Sequence, residues 1–302
     1  MVNFLNLPFT IMADGPFLLE SWRDMPDGPP TIEFAPDVIT LGLQKDELLK
    51  FPAFDDWQRT LKESMRRQNY TTHTFNKFQY RLEKVLIQSF DKKPNGALIF
   101  VKLHATIKNK KNEYLPGVVF LRGGSVAILM ILKPTDSPDE RYVIMTEQAR
   151  IPSGSLCFKE IPAGMIDAEK NFAGVAATEI EQEVGLKLNK DDLIDMTKLA
   201  LMQDDTREPM QDAMYPSPGG CDEFISIFLW ERVIDRTVME EVKGRLRGDR
   251  AESEHIKVTL ERYEKLLQVG ARDGKTLAAW SLYEYLKRVM PDSLKEEEED
   301  AF

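Results

Sequence analysis

The run "VVFLRGGSVAILMIL", residues 118–132, constrains this chain more than any other stretch. A strand with one wet face alternates apolar and polar residues. This run is too apolar for that, and it predicts strands buried on both faces, as in an α/β domain with mixed strands. The pattern changes around Pro116–Gly117, so a domain boundary is placed there.

Before the boundary the chain reads as a smaller β-rich domain. Residues 1 to about 40 are rich in Pro, Gly and Asp and read as an irregular, partly extended arm. Residues 46–69 read as helical with a break near Pro52, and Trp57, Leu61 and Met65 repeat every four residues as one face of a helix does. "RLEKVLIQSF" and the alternating run from Leu98 to Ile107 read as strands joined by "KPNG", which is turn chemistry. After the boundary, further strands are expected at "RYVIMTEQARI", "EFISIFLWERV" and "HIKVTL". A helix over 172–184 buries Phe172, Ala176, Ile180 and Val184 and stops at Gly185, and a C-terminal helix covers Leu277 to Met290. The chain thus divides into 1–116, 117–291 and a charged, disordered tail over 292–302.

Composition excludes several classes of function. A net charge of −10 over 302 residues leaves no basic surplus for non-specific nucleic-acid binding. Two cysteines, Cys157 and Cys221, make no disulfide framework and fit a reducing compartment. The first residues show no signal peptide, and no uncharged run reaches the roughly 18–20 residues of a membrane span. The expectation is a cytoplasmic protein with neither nucleic-acid nor membrane partners.

The segment "EIPAGMIDAEKNFAGVAATEIEQEVGLKL", residues 160–188, carries the chemistry. Glu179 and Glu183 stand four apart, so on a helix their Cβ atoms lie about 6 Å apart and their charges repel unless a cation sits between them. Mg²⁺ takes such oxygen ligands. An i, i+4 glutamate pair taken alone is equally a solvated helix face.

The spacing from Gly164 resembles the signature of the Nudix hydrolase superfamily. Laid on without gaps, that pattern finds Gly164, Glu179, Ile180, Glu183, Gly185 and Leu186 in place. It departs at Lys170, Thr178 and Gln182, where the family has Glu, Arg and Glu. The first two departures remove a Glu–Arg brace together, while the two main helix ligands remain. The surrounding motifs resemble the ADP-ribose and ADP-sugar pyrophosphatase branch, in the plant-type order: "IPAGM", then "SPGGCDE", then "HIKV". The resemblance covers about residues 95–290 and implies a Nudix α/β/α sandwich with a mixed sheet.

The resemblance also implies a site. Metal ligands would be Glu179, Glu183, Glu254 and the carbonyl of Ala163, holding Mg²⁺ or Mn²⁺. Arg150 would approach the diphosphate, since its planar fork pairs bidentately with phosphate oxygens; a surface ion pair with Glu147 is the alternative. Gly219 and Gly220 would let the backbone approach a ligand, and Glu223 would be a ligand-side carboxylate. Glu252 or Glu254 would be the general base, with His255 as a competitor. Gly274–Lys275–Thr276 is no P-loop, because Val269 stands where its first glycine belongs. The implied reaction is hydrolysis of a nucleoside diphosphate sugar, ADP-glucose or ADP-ribose, to a nucleoside monophosphate and a sugar phosphate. The implied assembly is a homodimer, its N-terminal domain covering the substrate. The other reading is a catalytically weakened nucleotide-sugar binding or scaffold protein, which Lys170, Thr178 and Gln182 support.

Overall fold

The computed structural model describes residues 15–166, 173–174, 189–202, 208–244, 246–247 and 255–294. The described residues form two compact units that meet in sequence between Gly123 and Gly124. The first also takes in residues 208–210 and 217–223, and the second takes in the rest.

The first unit is built on a mixed sheet. Its elements run β1 (Phe17–Leu18), β2 (Thr31–Phe34), α1 (Pro36–Thr40), α2 (Lys45–Lys50), α3 (Pro52–Arg67), β3 (Tyr80–Lys92), β4 (Leu98–Asn109), β5 (Tyr114–Leu115) and β6 (Val118–Leu121). The sheet order is β1-β2-β3-β4-β5, with β6 also on β4. β2 pairs parallel to β3 although its residues read as part of an irregular arm. Pro29, Pro30 and Pro36 bracket this four-residue strand, which is too short to show a period. Pro52 opens α3 at a position where its missing N–H costs no hydrogen bond. The helix buries Ala53, Phe54 and Met65, with Trp57 and Leu61 packed beside them. Gln58 on α3 accepts the indole N–H of buried Trp22 at 2.7 Å, which ties the segment before β2 to the helix.

The second unit holds a sheet with eight strands among the described residues. These are β7 (Ser125–Pro134), β8 (Tyr142–Arg150), β9 (Ser155–Glu160), β10 (Ala163–Met165), β11 (Ile194–Asp195), β12 (Ile225–Ile234), β13 (Leu246–Arg247) and β14 (Ile256–Arg262). β7 pairs parallel to β12 and antiparallel to β8 and β10, so the sheet is mixed. Its helices are α4 (Met196–Leu201), α5 (Arg236–Val242), α6 (Leu266–Gly270) and α7 (Gly274–Val289).

Every residue from Val126 to Leu132 is 1% exposed or less. Ala127, Leu129 and Ile131 pack with Met196 of α4 and Ala279, Tyr283 and Leu286 of α7. Val126, Ile128, Met130 and Leu132 pack on the other face with Met239 of α5. Helices thus cover both faces, and the α/β class with a mixed sheet is the observed one. The apolar run of 118–132 is not one buried stretch, however. Its first four residues are β6 in the other sheet, where Val118 is 55% and Phe120 39% exposed. The Gly123–Gly124 pair divides the run; a Cβ on Gly124 would fall 2.3 Å from the ring of Phe224, so only glycine fits there.

Candidate functional site

The helix expected over 172–184 lies outside the described residues apart from Ala173 and Gly174, which are helical. Glu179, Glu183, Glu252, Glu254, Lys170, Thr178 and Gln182 also lie outside them, as does the tail from 295. The remaining residues named for the site fall in both units, and each unit is described by itself.

In the second unit the chain entering the box is fixed on both sides. β10 pairs with β7 so that Ala163 faces Ala127 and Gly164 faces Val126. This sets the Ala163 backbone at the centre of the sheet. Just before it, Glu160 ends β9 and Arg150 ends β8. Glu160 lies opposite Thr146, and Arg150 is two alternations along from Thr146, so both side chains project from one face.

Arg150 pairs with Glu160, not with Glu147. Its Nε and Nη2 both lie 2.7 Å from Glu160 Oε1. Glu147 stands three residues from Arg150, hence on the opposite face of the strand, and faces Lys257 at 3.8 Å. The other oxygen of Glu160 accepts from Lys275 Nζ at 2.6 Å, and Lys275 also meets Asp273 Oδ1 at 2.8 Å. Asp273 caps α7 by accepting the N–H groups of Lys275 and Thr276. Thr276 Oγ1 in turn accepts the N–H of Ile161 at 3.2 Å. The Gly-Lys-Thr triplet is therefore a helix start that grips the strand leading into the box. Burial pulls the Lys275 ammonium down, but the Glu160 and Asp273 carboxylates outweigh it and hold it above its ordinary value. Sequence reasoning missed Glu160, Lys275 and Asp273. An aspartate three residues before a threonine at a helix start was the one local signal.

In the first unit the loop over 217–223 lies along β6. Phe120 N–H donates to the Gly220 carbonyl at 2.8 Å, and Asp222 accepts the N–H groups of Arg122 at 2.7 Å and Gly123 at 3.1 Å. Glu223 pairs with the Arg122 guanidinium at 3.0 Å. Gly219 and Gly220 have open space where a Cβ would stand, and neither adopts the left-handed backbone. Nothing in the unit's own packing demands glycine at either position. Burial pushes the Cys221 thiol up, which keeps it protonated and unsuited to act as a nucleophile.

Burial also pushes the Asp222 carboxyl up to about 6, against the pull of the Arg122 and Gly123 N–H groups. A carboxyl whose folded pKa lies above its unfolded value binds its proton more tightly in the native state. Its contribution to stability therefore falls as pH rises from about 4 to about 6 and is level above that. Asp222→Asn is expected to remove that slope from melting temperatures recorded across this range; an unchanged slope would assign it to other groups.

Among the described residues no three His, Cys, Asp or Glu stand together to hold a metal. The donors implied by the resemblance, three carboxylates and one backbone carbonyl, are hard oxygens of the kind Mg²⁺ takes. Among the described residues no helix is long and apolar enough to cross a membrane.

No family model matches the chain. Two characterised proteins do. Over 210 residues it is 40% identical to Nudix hydrolase 14, chloroplastic, of Arabidopsis thaliana, covering 68% of this chain and 64% of that one. Over 145 residues it is 32% identical to the ADP-ribose pyrophosphatase of Bacillus subtilis (strain 168), covering 48% of this chain and 63% of that one. The chain thus spans just under two thirds of each relative. Among solved structures, a crystal structure of an ADP compounds hydrolase superposes with a TM-score of 0.42 at 15% identity, over 70% of this chain and 98% of that one. At that score the superposition adds nothing to the strand order described above. The 40% match and the spacing of Gly164, Glu179, Glu183 and Gly185 both point to the Nudix hydrolase superfamily as the family this chain resembles.

Proposed function

We propose that this protein is a Mg²⁺-dependent pyrophosphatase that hydrolyses a nucleoside diphosphate sugar, ADP-ribose or ADP-glucose, to a nucleoside monophosphate and a sugar phosphate. The observation that carries the proposal is the intact Glu179–Glu183 pair at box spacing from Gly164, in a chain 40% identical to a Nudix hydrolase. The pyrophosphatase relative supports the substrate class, since its name specifies ADP-ribose.

The residues take the following roles in this reading. Glu179, Glu183, Glu254 and the Ala163 carbonyl hold the cation. When bound, it neutralises the diphosphate, lowers the pKa of a water and stabilises the leaving phosphate. Arg150 orients the diphosphate through charge-assisted hydrogen bonds. Glu252 or Glu254 accepts the proton of the attacking water as its oxygen bonds to phosphorus and the bridging P–O bond breaks. Glu223 stands on the substrate side, and the Gly219–Gly220 backbone lies against the ligand. Most of the rate comes from positioning and charge stabilisation, as in other phosphoryl transfers.

Gly219→Ala discriminates a ligand contact from a structural glycine. With open space at its Cβ, the variant is expected to melt within about 2 °C of wild type. Its KM should rise by about tenfold, because the methyl displaces the ligand. An unchanged KM would remove Gly219 from the substrate side.

The first unit is proposed to serve dimerisation and to cover the substrate; a monomer by light scattering would contradict this. Two free cysteines fit a reducing compartment, the cytoplasm or an organelle such as the one in the plant relative's name. The reaction itself is tested by hydrolysis in ¹⁸O-labelled water with mass spectrometry of the products. One label on the nucleoside monophosphate or on the sugar phosphate is expected. Loss of inorganic phosphate from the substrate would contradict the proposed bond cleavage.

A further inference from the structure

Arg150, Glu160, Lys275 and Asp273 form a line of alternating charges in the second unit. Three members are withdrawn from water: the side chains of Glu160, Asp273 and Lys275 are 2%, 5% and 16% exposed. Arg150, at 41%, is the one open end. Net stability is a weak reason for such a line, because desolvating paired charges offsets most of their attraction. Its geometry is informative. Glu160 gives Arg150 only Oε1, because Oε2 is taken by Lys275. The guanidinium is thereby held by Nε and Nη2, and Nη1 stays outside the pairing.

We propose that Lys275 is a positioning residue for substrate binding: by occupying one oxygen of Glu160, it limits that carboxylate's hold on Arg150 and leaves the guanidinium aimed at the substrate's diphosphate. This rests on Arg150 binding the diphosphate as proposed above. Without Lys275, both oxygens of Glu160 are free for a bidentate pairing with Arg150, the geometry a carboxylate and a guanidinium prefer. Glu160 then competes with the substrate for the same donors. Asp273 contributes by fixing Lys275 to the start of α7, so the position is set by a helix and not by a loop.

The test is a double-mutant cycle on ADP-ribose hydrolysis in saturating Mg²⁺, with Lys275→Met, Arg150→Ala and the pair, each checked by thermal melting. Lys275→Met is expected to raise KM about tenfold while kcat falls less than about threefold. Lys275→Arg is expected to restore KM to within about threefold, since it returns a cation to Glu160. In the Arg150→Ala background, Lys275→Met should change KM by less than about twofold, because the residue it acts through is gone. Additive effects on KM, or a fall in kcat with KM unchanged, would overturn the proposal. If Arg150→Ala alone leaves KM at the wild-type value, the diphosphate does not sit on Arg150, and this proposal falls with that assignment. If Arg150→Ala raises KM but Lys275→Met does not, the positioning role alone is lost. Should the methionine variant fail to fold, Lys275→Gln, which keeps a donor without the charge, is read against the same outcomes.

Discussion

Glu183→Gln is expected to lower kcat for ADP-ribose by at least about 10²-fold at saturating Mg²⁺, the scale on which one preorganised electrostatic contact acts. Glutamine keeps the length and volume of glutamate and has nearly the same helix propensity, so the fold has no reason to change. What it removes is one negative charge from a pair held at i, i+4. Gln182 already replaces a carboxylate of the family pattern, so Glu179 and Glu183 are the two box carboxylates left to the cation. Steady-state kinetics with a melting curve on the same sample checks this. Activity near wild type would remove Glu183 from the metal site.

Glu160→Ala is expected to lower stability by about 3–5 kcal/mol, the cost of breaking a buried ion pair from one side. Glu160 is 2% exposed and serves two cations at once. Arg150 can turn to solvent when its partner is lost. Lys275 cannot turn as readily, and it is left with Asp273 alone in a site where burial already disfavours its charge. For a unit of this size the loss corresponds to a fall in melting temperature of about 10 °C or more. A shift of about 2 °C or less would mean that water reaches the pair and that the network is not closed. This measurement is independent of catalysis, so it separates the structural cost of the network from the KM effect expected of Lys275→Met.

What the sequence made legible followed from local periodicity and spacing. The strands of the second unit were visible because long β-prone runs sit between polar loops, as at Tyr142–Arg150 and Ile225–Ile234. α3 was visible in the spacing of Trp57, Leu61 and Met65 and in the break at Pro52. β2 was not, because four residues between prolines carry no period, and its pairing with β3 is a non-local event. The glutamates of the box, which lie outside the described residues, were picked out by spacing. The partners of Arg150 were not. Adjacency in sequence suggested Glu147, but the two-residue alternation of a strand sends Glu147 to the other face. Glu160 meets Arg150 through strand pairing, and Lys275 meets Glu160 through the docking of α7, contacts that span 10 and 115 residues of the chain. Likewise the Lys of Gly274–Lys275–Thr276 could be excluded from a P-loop by spacing, yet its actual partner emerges only from the fold.

The central proposal is that Glu179 and Glu183, at the spacing of the box, hold a cation with which this chain acts as a pyrophosphatase. The most direct measurement is release of nucleoside monophosphate from ADP-ribose, ADP-glucose and UDP-glucose, each with Mg²⁺ and with the cation removed by chelation. AMP release from at least one ADP-sugar, dependent on Mg²⁺, is the predicted result. No release from any of the three with Mg²⁺ present, by protein that still binds them, would contradict it.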